Sequence, residues 1–354
     1  MRPTSAVISG LTLLFVSAQH AALAYEPEFT AWGVPNIEGV WDFRTLTPMV
    51  RPAVFADKAV LTPEEAKAFQ AQALAAVDVD NRQGQSQADV EGAYNTVWWD
   101  WGSELNEDLR TSLIVDPANG KLPALTEAAK ARLKEQNELR TPPVRDYFSY
   151  SAKPATYKPA GPESLGLSER CLVGVNAGPP FNPSAYNNNI RIVQTSHYTV
   201  ILTEMIHDAR IVLMSDKPHS TSGVERWSGE SRGHWEGNTL VVETRNFTDK
   251  TPAFQLPATL DTLEEAGAVG SGKSLNLTER FTPTREGRLL YEYTVNDPLT
   301  FERPFTVAIP MRASDERMYE YACHEGNYAM KGILKGARLL EAEAHSKELA
   351  AASE

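Results

Sequence analysis

From residue 188 onward the chain is written in runs with a period of two. Ile190 to Thr195, Tyr198 to Ile206, Arg210 to Met214, Thr239 to Phe247, Leu275 to Phe281, Leu289 to Val295, Phe305 to Met311 and Arg317 to Cys323 read as successive strands. Turn signals part them at intervals of about 8–12 residues, among them the hairpin signal Trp235-Glu-Gly-Asn238. Side chains on a strand alternate between two faces, so each run has one face to bury. Many short strands of this kind predict a mainly β, antiparallel sheet, and about eight of them favour closure into a barrel, which leaves no exposed edge. The pattern places this barrel at about 185–325.

The first 24 residues have the layout of an export signal: Arg2 ahead of the short apolar run Ala6 to Val16, then Ala22-Leu23-Ala24 as a small-x-small cleavage site. The apolar run is shorter than the roughly 20 residues a membrane-spanning helix needs. No later stretch is long and apolar enough to span a bilayer. A mature chain starting at Tyr25, exported to the periplasm or secreted and not inserted in a membrane, is therefore expected. The net charge of −12 and the absence of a basic run argue against nucleic acid and anionic membranes as partners.

The segment 25–184 is expected to wrap the barrel as extended and helical chain. Gly39-Val-Trp41 has the Gly-x-Trp step with which lipocalin-type (calycin-type) barrels begin their first strand. Thr62-Pro-Glu-Glu65 is a capping box opening a helix to about Ala76. A second helix is expected from Thr126. Between them Trp98, Trp99 and Trp101 form either a packing plug or a stacking wall, of which Trp99 and Trp101 are candidate ligand contacts. Residues 141–185 read as a long loop, which in a compact protein is usually functional or wraps the domain. The tail, 326–354, is predicted as an amphipathic helix.

The chain has two cysteines, Cys171 and Cys323. In an oxidising compartment an even pair reads as a disulfide, pinning the 141–185 loop to the barrel. The alternatives are two buried thiols or a reactive Cys323 beside His324. No zinc-type spacing of Cys and His occurs.

The β half resembles a family of exported bacterial proteins of unassigned function. The stretches that carry the likeness include Glu204-Met-Ile-His-Asp-Ala-Arg210, Ser231-Arg-Gly-His-Trp-Glu-Gly-Asn-Thr-Leu-Val-Val242, Glu279-Arg-Phe-Thr282 and Glu320-Tyr-Ala-Cys-His-Glu-Gly-Asn-Tyr328. The family usually has Arg-Pro-His and Gly-Arg-Trp where this chain has Lys217 and His234. The resemblance implies export and a lipocalin-like barrel, and supplies no reaction.

Candidate chemistry gathers in polar clusters at strand ends. His207 with Asp208 and Glu204, His219 after Lys217-Pro218, and His324 beside Cys323 are the expected rim of a barrel mouth. A carboxylate orienting an imidazole is the minimal pair that moves protons near neutral pH. On this reading His207, Asp208, His324, Glu204 and His219 are catalytic. Arg210, Tyr321, Glu325 and Asn327 join Trp99 and Trp101 as ligand contacts. Plainer roles exist: a stapled hairpin tip for Asp208 and Arg210, and a helix cap for Glu325 and Asn327. Two letter matches lack the context their chemistry needs. Gly229-Glu-Ser-Arg-Gly233 precedes a strand rather than opening a helix, and Gly267 to Ser274 does not join a strand to a helix.

The expected function is therefore an exported enzyme without a cofactor. It would act by acid–base chemistry on a small hydrophobic or aromatic molecule held in the barrel, as a lyase, isomerase, cyclase or hydrolase. A divalent or transition metal held by three His and a carboxylate is the alternative chemistry. A ligand-carrying barrel without catalysis is the alternative function, and a filled structural barrel is a third.

Overall fold

The structure is a computed structural model, and it describes residues 25–77, 100–132, 159–162, 165, 170–174, 176–185, 187–248, 254–255, 268–269 and 272–352. The export signal, Trp98 and Trp99, residues 141–158 of the expected 141–185 loop and part of Gly267 to Ser274 lie outside the described residues.

Twelve strands are described: β1 Gly39–Asp42, β2 Ile114–Asp116, β3 Asn189–Gln194, β4 Tyr198–Thr203, β5 Ala209–Met214, β6 Glu230–Glu236, β7 Thr239–Arg245, β8 Phe254–Gln255, β9 Ala268–Val269, β10 Asn276–Arg285, β11 Arg288–Asn296 and β12 Phe305–Ser314. They form a closed barrel in the order β1-β3-β4-β5-β6-β7-β10-β11-β12, with β12 returning to β1. β8 and β9 pair separately as a small ribbon.

The Gly-x-Trp strand closes the ring, although it lies in the segment expected to wrap it. Trp41 faces the interior, 7 % exposed, and its Nε1 donates to the Ile37 carbonyl at 2.9 Å. The other side of β12 is shared between β1 at its Ser314 end and β2 at its Thr306 end.

Two strand expectations are corrected. The barrel is mixed rather than antiparallel throughout, because β5 and β6 pair in parallel at Leu213–Arg232 and Met214–Gly233. A parallel pair needs a crossover of about a dozen residues or more, and the connection 215–229 supplies one. Arg317 to Cys323 is not a strand: the chain leaves the sheet after Ser314 and turns at 323–326. With both sides of β12 already paired, no free edge remains for another strand to join.

The helix signals are observed. In the helix Pro63–Val77, the Thr62 N–H donates to Glu65 Oε2 at 2.8 Å and the Glu65 N–H to Thr62 Oγ1 at 3.3 Å, a reciprocal capping box. The C-terminal helix Tyr328–Ala352 buries only Ala337 and is tied down by Arg338, which donates to the carbonyls of Pro159 and Ala160. Among the described residues no helix is long and apolar enough to cross a membrane.

The interior follows the alternation. Leu277, Glu279 and Phe281 of β10, and Leu289, Tyr291, Tyr293 and Val295 of β11, point inward with the buried residues of β7 and β12. One end of the barrel is where β3 begins, β4 ends and β5 begins. There the segment 176–185 turns in and puts the Phe181 ring into the core, 6.1 Å from Phe43 and 5.5 Å from Tyr291.

Candidate functional site

The alternation that builds the wall also places charge inside it. Arg210 on β5 and Glu279 on β10 share inward faces with Val212 and with Leu277 and Phe281. Their side chains are 6 % and 0 % exposed and form a two-point ion pair, Nη1 to Oε2 and Nη2 to Oε1, the second at 2.9 Å. Tyr291 donates its hydroxyl to Glu279 Oε1 at 2.8 Å and accepts the Phe181 N–H at 3.2 Å. Tyr293 donates to Asn182 Oδ1 at 2.5 Å. The Arg210 guanidinium lies over the Phe181 ring, 5.3 Å from its centroid. Among the described residues no hydrogen bond reaches the buried Arg210 Nε.

The electrostatics of the group are consistent. Burial by itself disfavours charge on Arg210, but the Glu279 carboxylate outweighs it and raises the guanidinium pKa. Burial pushes both phenols, Tyr291 and Tyr293, well above their ordinary range, with Glu279 adding to the effect. At neutral pH both are therefore donors. A buried ion pair adds little to stability compared with apolar residues of the same size.

Glu204 joins the end of β4 to the chain that leaves the barrel. Its carboxylate accepts from Asn189 Nδ2 at 2.8 Å and from the Tyr319 N–H at 3.3 Å, so it clamps the outgoing chain to the barrel end. Cys171 and Cys323 stand at disulfide-bonding distance, with Cα atoms 5.7 Å apart. Next to them Gly174 packs on the turn Met205–His207 so closely that a Cβ would lie 2.2 Å from Met205 Cγ. In that turn Ile206 has φ 63°, a region a β-branched residue enters only under strain.

The other expected catalytic residues have separate surroundings. Asp208 is exposed and accepts from Ser228 Oγ at 2.8 Å. His324 and Glu325 are exposed in the turn 323–326, not at the end of a strand. Asn327 caps the C-terminal helix, its Oδ1 accepting from the Met330 N–H at 3.3 Å while Nδ2 donates to Cys171 Sγ at 3.4 Å. Tyr321 and Trp101 are half-buried. Of His207 only the backbone turn is described.

His219 sits beneath the 215–229 crossover, against the outward faces of β6 and β7, rather than at the barrel mouth. Its Nδ1 is 3.8 Å from Glu230 Oε2, and among the described residues neither buried ring nitrogen has a hydrogen-bond partner. Among the described residues no hydrogen bond or ion pair joins His219, His324, Glu204 and Asp208 to one another. Among the same residues no group of three or more His, Cys, Asp and Glu is placed to hold a metal ion.

Burial lowers the His219 pKa from the usual 6.5, with Arg245 and Arg232 adding to the effect and Glu230 opposing it. The unfolded chain therefore takes up this proton first as pH falls. His219 contributes stability that is fully present above about pH 6.5 and is lost on the way down to the folded pKa. Urea midpoints measured from pH 7.5 to 4.5 are expected to fall along this limb, and less steeply in His219→Leu. An equal slope in both proteins contradicts this assignment.

Comparison with protein-family models, with curated proteins and with solved structures finds no match for this chain. The site is accordingly read from its own residues. Arg210, a candidate ligand contact by sequence, is buried and paired with Glu279. Glu279, Tyr291 and Tyr293 were missed, although a carboxylate between Leu277 and Phe281 on the apolar face of a strand is a readable signal. Phe181 and Asn182 lie in irregular chain and carry no period.

Proposed function

We propose that this is an exported small-molecule-binding barrel, with the Arg210–Glu279–Tyr291 group as its recognition element. The observation that carries the reading is a buried guanidinium–carboxylate pair, hydrogen-bonded to Tyr291 and set in an aromatic interior. A buried ion pair adds little to stability relative to apolar residues of the same size, so its place in the core calls for another role. The Glu279 carboxylate cancels the charge of Arg210, so the group suits a neutral ligand that accepts a hydrogen bond. Export accords with the cysteine pair at disulfide distance, since disulfides persist in oxidising compartments.

Two phenols held protonated by burial are suited to donating hydrogen bonds rather than to removing protons, so binding is favoured over acid–base turnover at this group. A thermal-shift screen of small neutral aromatic carbonyl compounds tests the reading. At a ligand concentration of about 100 Kd, binding adds about 2.7 kcal/mol to the folded state. The expected result is a Tm rise of several degrees in the wild type that is absent in Arg210→Met/Glu279→Leu. Hits that shift both proteins equally bind elsewhere and remove the support for this site.

A further inference from the structure

The segment 176–185 does more than cover one end of the barrel. Gly178 has φ 65°, and a Cβ there would meet the Phe181 ring at 2.7 Å. The turn is thus built on glycine, and the ring folds back over it. Beyond the turn, two adjacent residues address the recognition group at separate points. The Phe181 ring lies against the Arg210 guanidinium and between Phe43 and Tyr291. The Phe181 N–H donates to Tyr291 Oη, and the Asn182 carboxamide accepts from Tyr293 Oη.

An aromatic ring on a guanidinium face and a carboxamide on a phenol are the contacts a bound molecule makes. The segment is tethered on both sides. Cys171 fastens it to Cys323, and Ser184 and Asn188 close it onto β3, with Asn188 Oδ1 accepting from the Ser184 N–H at 2.8 Å and Asn188 Nδ2 donating to the Ser184 carbonyl at 2.9 Å. Between the tethers Ala177, Phe181 and Asn182 are buried, so a molecule touching Tyr291 and Tyr293 at these points has to take their place.

We infer that Phe181 and Asn182 occupy the ligand's place, and that the ligand pairs an aromatic ring with a carboxamide-like carbonyl and displaces them on binding. This rests on the binding reading above and adds to it both a ligand class and a built-in competitor. Removing the competitor must raise affinity, because binding no longer has to displace a bound group.

The probe is 3-phenylpropanamide, which carries both features, with propylbenzene as the ring alone. Affinities are measured by ligand-observed NMR and calorimetry on the full mature chain of the wild type, Phe181→Leu and Phe181→Ala. The amide probe is expected to bind Phe181→Ala at least tenfold more tightly than the wild type, with Phe181→Leu between them. Propylbenzene is expected to bind Phe181→Ala more weakly than the amide does. If Phe181→Ala fails to fold, the same order between wild type and Phe181→Leu decides.

In the wild type, saturating amide probe is expected to speed hydrogen exchange at 176–185. Equal affinity in all folded variants, or slower exchange at 176–185 with the probe bound, overturns the inference. A probe that binds the wild type while protecting 176–185 leaves the barrel a binding protein and removes only the competitor. A probe that binds no folded variant overturns the ligand class.

Discussion

Glu279→Leu is expected to lower the stability of the folded protein by about 3–5 kcal/mol, the usual cost of breaking one side of a buried ion pair. The substitution leaves a buried guanidinium without its counter-charge and removes the acceptor of the Tyr291 hydroxyl. Adding Arg210→Met to the same chain is expected to recover all but about 1–2 kcal/mol, because two apolar side chains replace the pair without leaving a buried charge. The remaining deficit belongs to Tyr291, whose hydroxyl keeps the Phe181 N–H but loses its acceptor. Urea unfolding of the wild type, both single variants and the double variant closes this cycle. A double variant as unstable as the sum of the singles would mean that Arg210 and Glu279 act independently.

Removing the cross-link is the second large effect. Cys171→Ser/Cys323→Ser releases two points separated by 152 positions. In the chain-entropy account such a loop is expected to cost about 4–5 kcal/mol through the unfolded state. The urea midpoint should fall accordingly, and reduction of the wild type should reproduce the shift. A native state that loses less than about 1 kcal/mol would show that the unfolded chain is already held together by other means. Because the same cross-link holds one flank of 176–185, the double serine variant is also expected to exchange amide hydrogens faster at Phe181 and Asn182.

The barrel was legible in the sequence because its cause is local. Alternation in β10 and β11, the Glu236-Gly237-Asn238 turn and the Gly-x-Trp step each specify strands or their ends without knowledge of distant residues. Topology was less legible. Nothing in Leu213 or Arg232 announces that β5 and β6 run parallel; that follows from the crossover 215–229. Nor does Arg317 to Cys323 reveal that its pairing edge is already taken by residues far upstream, Gly39–Asp42 and Ile114–Asp116.

The site divided along the same line. Glu204 and Arg210 stand out in sequence as charge at strand ends, and both are buried and bonded. His219 looked equivalent to His207 and His324, yet the crossover lays it on the outer wall among Glu230, Arg232, Glu243 and Arg245. Which face a loop residue meets depends on how the loop returns, and loop composition does not encode that. Phe181 and Asn182 reach the interior through a glycine turn in otherwise irregular chain, so only coordinates bring them to Tyr291 and Tyr293.

The central claim is that the paired Arg210–Glu279 group holds a small neutral molecule inside the barrel. Native mass spectrometry of the protein taken without denaturation, beside the folded Arg210→Met/Glu279→Leu variant, tests it most directly. The expected result is a discrete mass excess on the wild type that denaturation releases and that the double variant lacks. A wild type carrying no small molecule, or a double variant carrying the same one at the same occupancy, would contradict the claim.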